Sequence, residues 1–549
     1  MQLWDALTER KRGTLHAWNG TGFETADWDE VVRDAERIAV GLRRAGIGPG
    51  IPLAAVLTNS PLAVRGLLGA WLAGAPVASL PVPARGMSVG EYAEQLVTLR
   101  EHVGSPMIVT DERLADMLPE RVGLGAPVRG WESFPADGPF EASPPEADEL
   151  AFVQYSSGST AMPKGCMLSA RAIASQLEIL AEMAEITPGA ETVGSWLPLS
   201  HDMGVFGCLL FAWAWDLDLA LSSPERFMMS PRTWFSDCAD FGATLSAGPP
   251  SALGTAVRAH SIGSLSAPLR LRVCVIGAER IEAARLAQAS EAFAPYGLTP
   301  AVWMPAYGLA EATLVVAATG VAEEPSAIHV DTAALADGTI AELDGRDERS
   351  TTIVSVGRAC AGARVRLAEP DRLAEILVSS PSLSMGYFGD GEKTADRFRD
   401  GEFVTGDLGF ERGDHLYVVG RSDDVLCVSG RNVYAREIEA AVDALDGVRS
   451  GCSTIVHLGD ESASNGHGRL VMLLELRDEA ADHRALASAA ARTATAKAGI
   501  TLNECVFLGK GTLPKTPSGK IQRFRCRQLL AGEQLEPLAR VELQGAART

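Results

Sequence analysis

Five small residues, Ser156, Ser157, Gly158, Ser159 and Thr160, follow an apolar run that ends at Tyr155, and Pro163, Lys164 and Gly165 close the stretch. A hydroxyl-rich turn of this kind after a strand suits phosphate. Small side chains let several backbone N–H groups point at one anion, the hydroxyls add donors, and Lys164 adds a charge. The stretch is not a Walker A loop, which needs Gly-Lys-Ser/Thr leading into a helix, whereas here Lys164 precedes Gly165 and Cys166. A Ser/Gly cluster alone reads as a plain surface turn; the ordered Pro-Lys-Gly end argues for the anion site.

The elements that must carry this loop alternate between strand and helix signals. Apolar residues at Val31, Ala35, Ile38, Ala39 and Leu42 have helical spacing, with Gly46 placed to stop the helix. A strand follows over 52–58, then an apolar helix over 62–73 and strands near Val77 and Met107. This order predicts a parallel sheet with helices on both faces. Gly46-Ile-Gly-Pro-Gly50 fails as a dinucleotide fingerprint, because it ends a helix instead of opening one. Sequence rich in Pro and Glu over 134–149 reads as a surface connector, and Ser169 as the N-cap of a helix over 170–184. His201 lies in Ser195-Trp-Leu-Pro-Leu-Ser-His-Asp-Met-Gly204; a lone His at such a place is more often a satisfied core residue than a catalytic one. Val273 to Ile276 is a buried strand whose end, Gly277-Ala278-Glu279, falls where open α/β sheets bind ligands. Residues 328–358 are polar and without periodicity, and β signals return from Glu375 with a hairpin around Arg412-Gly-Asp414. Helix and strand signals beyond 421 suggest a compact α+β unit.

At 549 residues the chain exceeds one hydrophobic core, so a large multi-part domain plus a smaller one is expected. A formal charge of -21 argues against nucleic acid or an anionic membrane as partner. Nine scattered cysteines with no Cys-x-x-Cys pair indicate neither zinc nor a disulfide framework. The start of the chain lacks a signal-peptide pattern, and the most apolar run, 203–215, is too short for a bilayer span of about 20 residues, so a cytoplasmic protein is expected.

The loop at 156–165 resembles the phosphate-binding loop of the adenylate-forming superfamily, which includes acyl-CoA synthetases, peptide-synthetase adenylation domains, luciferases and fatty acyl-AMP ligases. Five further motifs come in family order: Ser195 to Gly204, Ala306-Tyr-Gly-Leu-Ala-Glu-Ala-Thr313, Thr405-Gly-Asp407, Gly420-Arg-Ser-Asp-Asp424 and Leu513-Pro-Lys-Thr-Pro-Ser-Gly-Lys520. The resemblance implies an α/β fold: an N-terminal adenylate-binding domain, 1–420, of two α/β layers plus a small β-barrel, and a small mobile α+β C-terminal domain, 421–549, hinged at Asp423. It implies activation of a hydrophobic carboxylic acid by ATP through an acyl-adenylate, then transfer to a pantetheine thiol of coenzyme A or of a separate carrier protein. In that scheme Gly277, Ala278, Glu279 and Ala306 to Gly308 contact the nucleotide, with Tyr307 stacked on adenine, an aromatic face suiting a purine. Glu311, with Thr160, would hold Mg²⁺, a hard cation suited to a carboxylate. Asp407 would accept from the ribose hydroxyls, Arg421 would touch the nucleotide, and Lys520 would meet the charge developing at the α-phosphate. His201, Val205 and Met304 would border the acyl group, and Gly430 would line the thiol tunnel. The Asp423 hinge is more like short-chain acyl-CoA synthetases. Residues 328–358 stand where fatty acyl-AMP ligases carry a segment thought to disfavour coenzyme A. The run Ala333-Ala-Leu-Ala-Asp-Gly-Thr offers that segment little apolar surface for packing, which makes coenzyme A at least as good an expectation as a carrier.

Rival readings are a ligase that only forms thioesters from ready-made acyl-adenylate, a non-catalytic adenylate-binding protein and an ATP-dependent kinase. The absent Walker A loop disfavours the kinase, and retention of Glu311, Asp407 and Lys520 disfavours the non-catalytic protein. The first rival rests on Ala161, where the superfamily usually has Gly or Ser. Glycine reaches positive φ freely, and a left-handed alanine costs about 1–2 kcal/mol. Such a penalty falls on ATP, whose β- and γ-phosphates the loop would cradle, and spares a bound adenylate. Ala161→Gly is therefore expected to raise ATP–pyrophosphate exchange; brisk exchange that the substitution leaves unchanged would show that the loop works as it stands.

Overall fold

The computed structural model of the chain describes residues 1–83, 87–118, 127–155, 163–260, 265–346, 349–422, 425–428, 431–458, 469–478, 480–515 and 521–543. Strand propensity and burial combine first in a six-stranded sheet, ordered Val128–Gly130, Ile108–Thr110, Leu53–Val56, Val77–Leu80, Leu150–Tyr155 and Gly165–Ser169. Its first five strands run parallel, and Gly165–Ser169 returns antiparallel to Leu150–Tyr155. A nine-stranded sheet runs Arg358–Ala359, Val315–Ala318, Trp303–Gly308, Val273–Ile276, Leu245–Gly248, Thr192–Ser195, Asp218–Leu221, Thr14–Trp18 and Phe23–Asp27. Strands such as Leu53–Val56 are buried on both faces, as parallel strands sandwiched between helices must be.

The helix expected from its apolar spacing is Trp28–Arg44. Asp27 caps it by accepting from Glu30 N at 2.6 Å, a contact worth about 1 kcal/mol, and Gly46 adopts φ +82° just beyond its end. It packs on Pro61–Leu72, a helix almost wholly buried whose one charged side chain, Arg65, pairs with Asp34 and Glu24; Gly69 lets the two backbones close, since a Cβ there would lie 2.8 Å from Ala35 O. A third buried helix lies between the sheets. It begins at Asp202–Gly204, continues as a π-helix over Val205–Leu210 and ends as Phe211–Ala214. Phe206 meets Phe152 of the six-stranded sheet edge-on at 5.3 Å, and Trp213 stacks on Trp28 at 4.9 Å.

Beyond these layers, Arg364–Leu367, Ala374–Ser379, Phe398–Arg399, Glu402–Arg412 and His415–Arg421 form a five-stranded antiparallel sheet, the small β unit the sequence leads one to expect. The C-terminal α+β unit has its own four-stranded sheet, Val448–Leu458, Arg469–Leu476, Glu504–Leu508 and Ala539–Glu542, flanked by helices Ala435–Asp443, His483–Ala498 and Arg523–Ala531. Its apolar core of Ile438, Val442, Leu474 and Phe507 is separate from the main one.

The connector 134–149 runs over the surface as expected, mostly exposed and without helix or strand, and it is fastened at several points: Phe134 is buried, Ser143 N donates to Leu72 O at 3.0 Å, and Trp4 Nε1 donates to Pro145 O at 2.7 Å. One expectation needs correction: the stretch 328–358 is ordered. Ala327–Asp331, Glu342–Leu343 and Ser350–Val354 make a three-stranded sheet, and Asp331 caps the short helix Thr332–Ala336. Val330, Leu335 and Ile353 are buried against Phe410, Tyr417 and Val419 of the five-stranded sheet. The apolar residues are few but all point one way, which a count along the sequence misses.

Gly41 offers a test of the close packing. A Cβ there would lie 1.7 Å from Phe134 O, a backbone atom. Alanine improves helix propensity by about 1 kcal/mol, but forcing the connector away costs about 1–3 kcal/mol. Gly41→Ala should therefore lower the midpoint of urea unfolding monitored by tryptophan fluorescence.

Candidate active site

Open α/β sheets bind ligands beyond the C-terminal ends of their parallel strands, and Gly277, Ala278 and Glu279 follow directly on the strand Val273–Ile276. Gly248 closes one strand; Gly277 N donates to its carbonyl at 3.4 Å, and a Cβ on Gly277 would sit 2.9 Å from Ala306 O. Ala278 has φ +65°, a left-handed turn that costs a non-glycine residue about 1–2 kcal/mol and swings the chain away from the sheet. The Glu279 carboxylate accepts from Ser251 N and Oγ, both at 3.0 Å, so it fastens the start of helix Pro250–His260.

Tyr307 is buried, and its hydroxyl donates to Asp407 Oδ2 at 2.5 Å. Asp407 stands opposite Arg421 in the hairpin, with Arg421 Nε 3.2 Å from its Oδ1. Thr405 Oγ1 accepts from Asp407 N at 2.9 Å, and Gly406 takes φ +76° to make the turn. Burial, then the neighbouring Asp407 carboxylate, pushes the Tyr307 phenol well above its usual value, so it stays a donor.

Glu311 sits in a one-turn 3-10 helix, Ala310–Ala312. Gly308 permits this turn, because a Cβ would fall 1.9 Å from Leu314 O. Ser384 N donates to Glu311 O at 2.7 Å, and the Tyr387 hydroxyl donates to Glu311 Oε1 at 2.8 Å. Lys164 Nζ lies 5.5 Å from the Tyr387 ring centroid. Burial lowers the pKa of Lys164, and Lys393 adds repulsion while Glu311 opposes it.

His201 Nδ1 is 2.6 Å from Asp202 Oδ1 at the start of the buried helix. Its loop is held by Asn59, whose Nδ2 donates to Leu197 O at 2.8 Å and whose Oδ1 accepts from Leu199 N at 3.0 Å; Gln154 Nε2 donates to Ser200 O at 3.0 Å. Val205 and Met304 are fully buried. Gly207 and Leu314 beside them are part-exposed, and a Cβ on Gly207 would be 2.9 Å from Leu314 Cδ2.

The C-terminal segment that carries Lys520 is tied at both ends. Leu513 N donates to Glu475 Oε1 at 2.9 Å, Lys515 Nζ to Gly451 O at 2.7 Å, and Arg523 Nη2 to both Glu439 oxygens at 2.8 and 3.0 Å. Burial alone would raise the Glu475 pKa, but the backbone donors Leu513 and Gly511 and the cation Arg449 together lower it. Arg525, two residues further on, reaches Glu91 of the large domain at 3.1 Å. Ser156, Ser157, Gly158, Ser159, Thr160, Ala161, Asp423, Gly430 and Lys520 lie outside the described residues.

Residues 7–388 match the model of the family described as AMP-binding enzyme. The chain belongs to that family. This AMP-binding enzyme is a ligase of the adenylate-forming superfamily. It is 30% identical to a putative ligase of Mycobacterium tuberculosis over 90% of this chain and 93% of that one, and 31% identical to a long-chain-fatty-acid–AMP ligase of Mycolicibacterium smegmatis over 70% of this chain and 69% of the relative. Its fold is that of a solved structure from a study of fatty acyl-adenylate ligases of E. coli and L. pneumophila, with TM-score 0.86 and 24% identity over 97% of this chain and 98% of that one. It also matches the L. pneumophila fatty acyl-adenylate ligase in complex with acyl adenylate and pyrophosphate, with TM-score 0.72 and 22% identity over 98% of each chain.

Glu311 accepts from Tyr387 with one carboxylate oxygen, and no cluster of three or more metal-ligating side chains occurs among the described residues. That donor set fits Mg²⁺, which is usually held by one or two carboxylates together with substrate phosphates. Removing Asp407 takes away one of the charge-assisted acceptors in the cleft, at a cost of roughly 1.5–3 kcal/mol. Asp407→Ala should weaken AMP about ten- to a hundredfold by calorimetry, and weaken a non-hydrolysable acyl-adenylate analogue equally, since ribose is common to both.

Proposed function

We propose that this ligase activates a hydrophobic carboxylic acid with ATP, releasing pyrophosphate and forming an acyl-adenylate, and then passes the acyl group to the thiol of a pantetheine arm. The observation that carries the reading is the convergence of Tyr307, Asp407, Glu311 and Lys164 on one crevice in an AMP-binding enzyme, with partners that fit an adenosine at one end and phosphates at the other. Asp407 exchanges a protein partner for the ribose hydroxyls when nucleotide binds, and Tyr307 lies under the adenine. Glu311, with Thr160, would hold Mg²⁺, which supplies charge neutralisation at the phosphates. Lys164 steadies the phosphate loop, and Lys520 approaches the carboxylate and α-phosphate from its two-ended tether. Holding the acid beside the α-phosphorus supplies most of the acceleration, because the reaction needs little beyond alignment and charge stabilisation.

Rotation of the C-terminal unit about Asp423 would then withdraw Lys520 and bring Gly430 to the thiol path. The ion pair between Arg525 and Glu91 would break in that movement; an exposed pair of this kind is worth at most about 1 kcal/mol, so it biases the rotation without blocking it. The described cysteines are free thiols, most of them buried, which suits a reducing, cytoplasmic setting.

The acceptor reading changes with the packing of 328–358. That segment presses its apolar side on the five-stranded sheet, and its helix Thr332–Ala336 touches the C-terminal unit at Arg431–Tyr434 and at His483–Ala498. Coenzyme A and a carrier share the pantetheine arm and differ outside the tunnel, so a segment wedged beside the rotating unit bears on the body attached behind the arm. A carrier-borne pantetheine is the better acceptor on this ground. Mass spectrometry after incubating the enzyme with ATP and a panel of fatty acids should show acyl-AMP, and acyl-carrier should exceed acyl-CoA when a pantetheinylated carrier and coenzyme A compete. Thioester formation only from added acyl-adenylate would instead favour the reading in which Ala161 has disabled the first half-reaction. Efficient acyl-CoA formation with no transfer to carrier would reverse the acceptor assignment.

A further inference from the structure

Tyr387 stands where two groups of the proposed reaction meet, and no sequence motif singled it out. Residues 385–388 run beside the strand Gly165–Ser169: Met385 N donates to Met167 O at 2.8 Å, Met167 N to Gly386 O at 2.9 Å, and Phe388 N to Gly165 O at 2.8 Å. This pairing sets Tyr387 directly across from Cys166, two residues after Lys164. Thr394 Oγ1 accepts from Tyr387 N at 2.9 Å, and the ring packs edge-on against Phe398 at 5.9 Å, leaving the residue 3% exposed. A phenol held that tightly cannot seek water and must find an acceptor in the protein. It finds Glu311 Oε1 at 2.8 Å, while its ring face receives Lys164 Nζ at 5.5 Å.

The arrangement solves a charge problem. A lysine and a glutamate at the edge of one phosphate site are drawn together, and a direct ion pair would occupy the carboxylate intended for a cation. No ion pair joins Lys164 to Glu311 among the described residues; the phenol lies between them, donating to the anion through its edge and cushioning the ammonium on its face. We propose that Tyr387 is a positioning residue: it fixes Glu311 by one oxygen so that the other meets the divalent cation, and it seats Lys164 apart from that carboxylate. This rests on the reading of Glu311 as the cation ligand. Tyr387 touches neither ATP nor the acid in this role.

Tyr387→Phe keeps the ring and the lysine seat but removes the hydroxyl, whereas Tyr387→Leu removes both. Mn²⁺ binding to the intact enzyme saturated with a non-hydrolysable ATP analogue, monitored by electron paramagnetic resonance, reads the cation site without turnover. Tyr387→Phe should weaken Mn²⁺ about tenfold to a hundredfold, the effect of one lost hydrogen bond to a charged group, with AMP affinity unchanged. Tyr387→Leu should weaken the ATP analogue as well. Glu311→Gln serves as the control and should weaken Mn²⁺ more than either. Unchanged Mn²⁺ affinity in Tyr387→Phe beside a clear loss in Glu311→Gln would overturn the proposal and leave the cation reading standing. Unchanged affinity in both would sink the cation reading and the proposal with it. Parallel loss of Mn²⁺ and AMP affinity in Tyr387→Phe would mark a merely structural tyrosine and would also overturn it.

Discussion

The hydrogen bond from the Tyr307 hydroxyl to Asp407 joins two sheets that share no strand. Tyr307 belongs to the nine-stranded sheet and Asp407 to the five-stranded one, a hundred residues apart, so this contact ties the two sheets at the site, while the backbone bonds Val356 N to Leu416 O and Leu416 N to Gly357 O tie them further along. Gly308, next to Tyr307, allows the sharp turn that carries Glu311, and Arg421, opposite Asp407, is the last residue of its hairpin before the C-terminal unit. A buried phenol bonded to a carboxylate is also a contact that a ribose can trade for its own hydroxyls at little net cost, because one hydrogen bond to a charged group replaces another.

Much of this was legible in the sequence where local chemistry and long-range packing agree. The helix Trp28–Arg44, the strand Leu150–Tyr155 and the hairpin at Arg412 to Asp414 are each specified by their own spacing and capping, so the sequence places them within a few residues. The helix Val89–Val103 escaped notice although Ser88 and Glu91 form a full capping box at its start. The strands Thr14–Trp18 and Phe23–Asp27 escaped too, because most of their residues are only partly buried or face solvent and the apolar signal is thin. Segment 328–358 shows the limit most plainly. Val330, Leu335 and Ile353 are spread along the sequence and become one apolar face only after the three strands pair.

In the site, Tyr307, Glu311 and Asp407 are singled out in the sequence by the resemblance of their motifs to a family, since a bare Tyr-Gly or Gly-Asp pair reads as an ordinary turn, and the residues that hold them are not singled out at all. Tyr387 is one of these, since its importance arises from pairing between 385–388 and a strand more than two hundred residues earlier. Glu475 and Glu439 are similar: each reads as an ordinary acid in an amphipathic element, and only the folded chain shows that they fasten the ends of the loop bearing Lys520.

The π-helical stretch Val205–Leu210 in the helix between the sheets fits one amino acid more into a turn than α-helix does, at nearly the same rotation of the chain. Loss of a single residue from the stretch would therefore let it relax into ordinary α-helix while Met203 and His201 keep their facing relative to Phe211 and Trp213. Phe206 and Trp213 meet Phe152 and Trp28 from the two ends of this helix, and those ends would keep their partners. The wide turn is thus a place where the chain can gain or lose one residue and reshape the adjoining wall without refacing the helix.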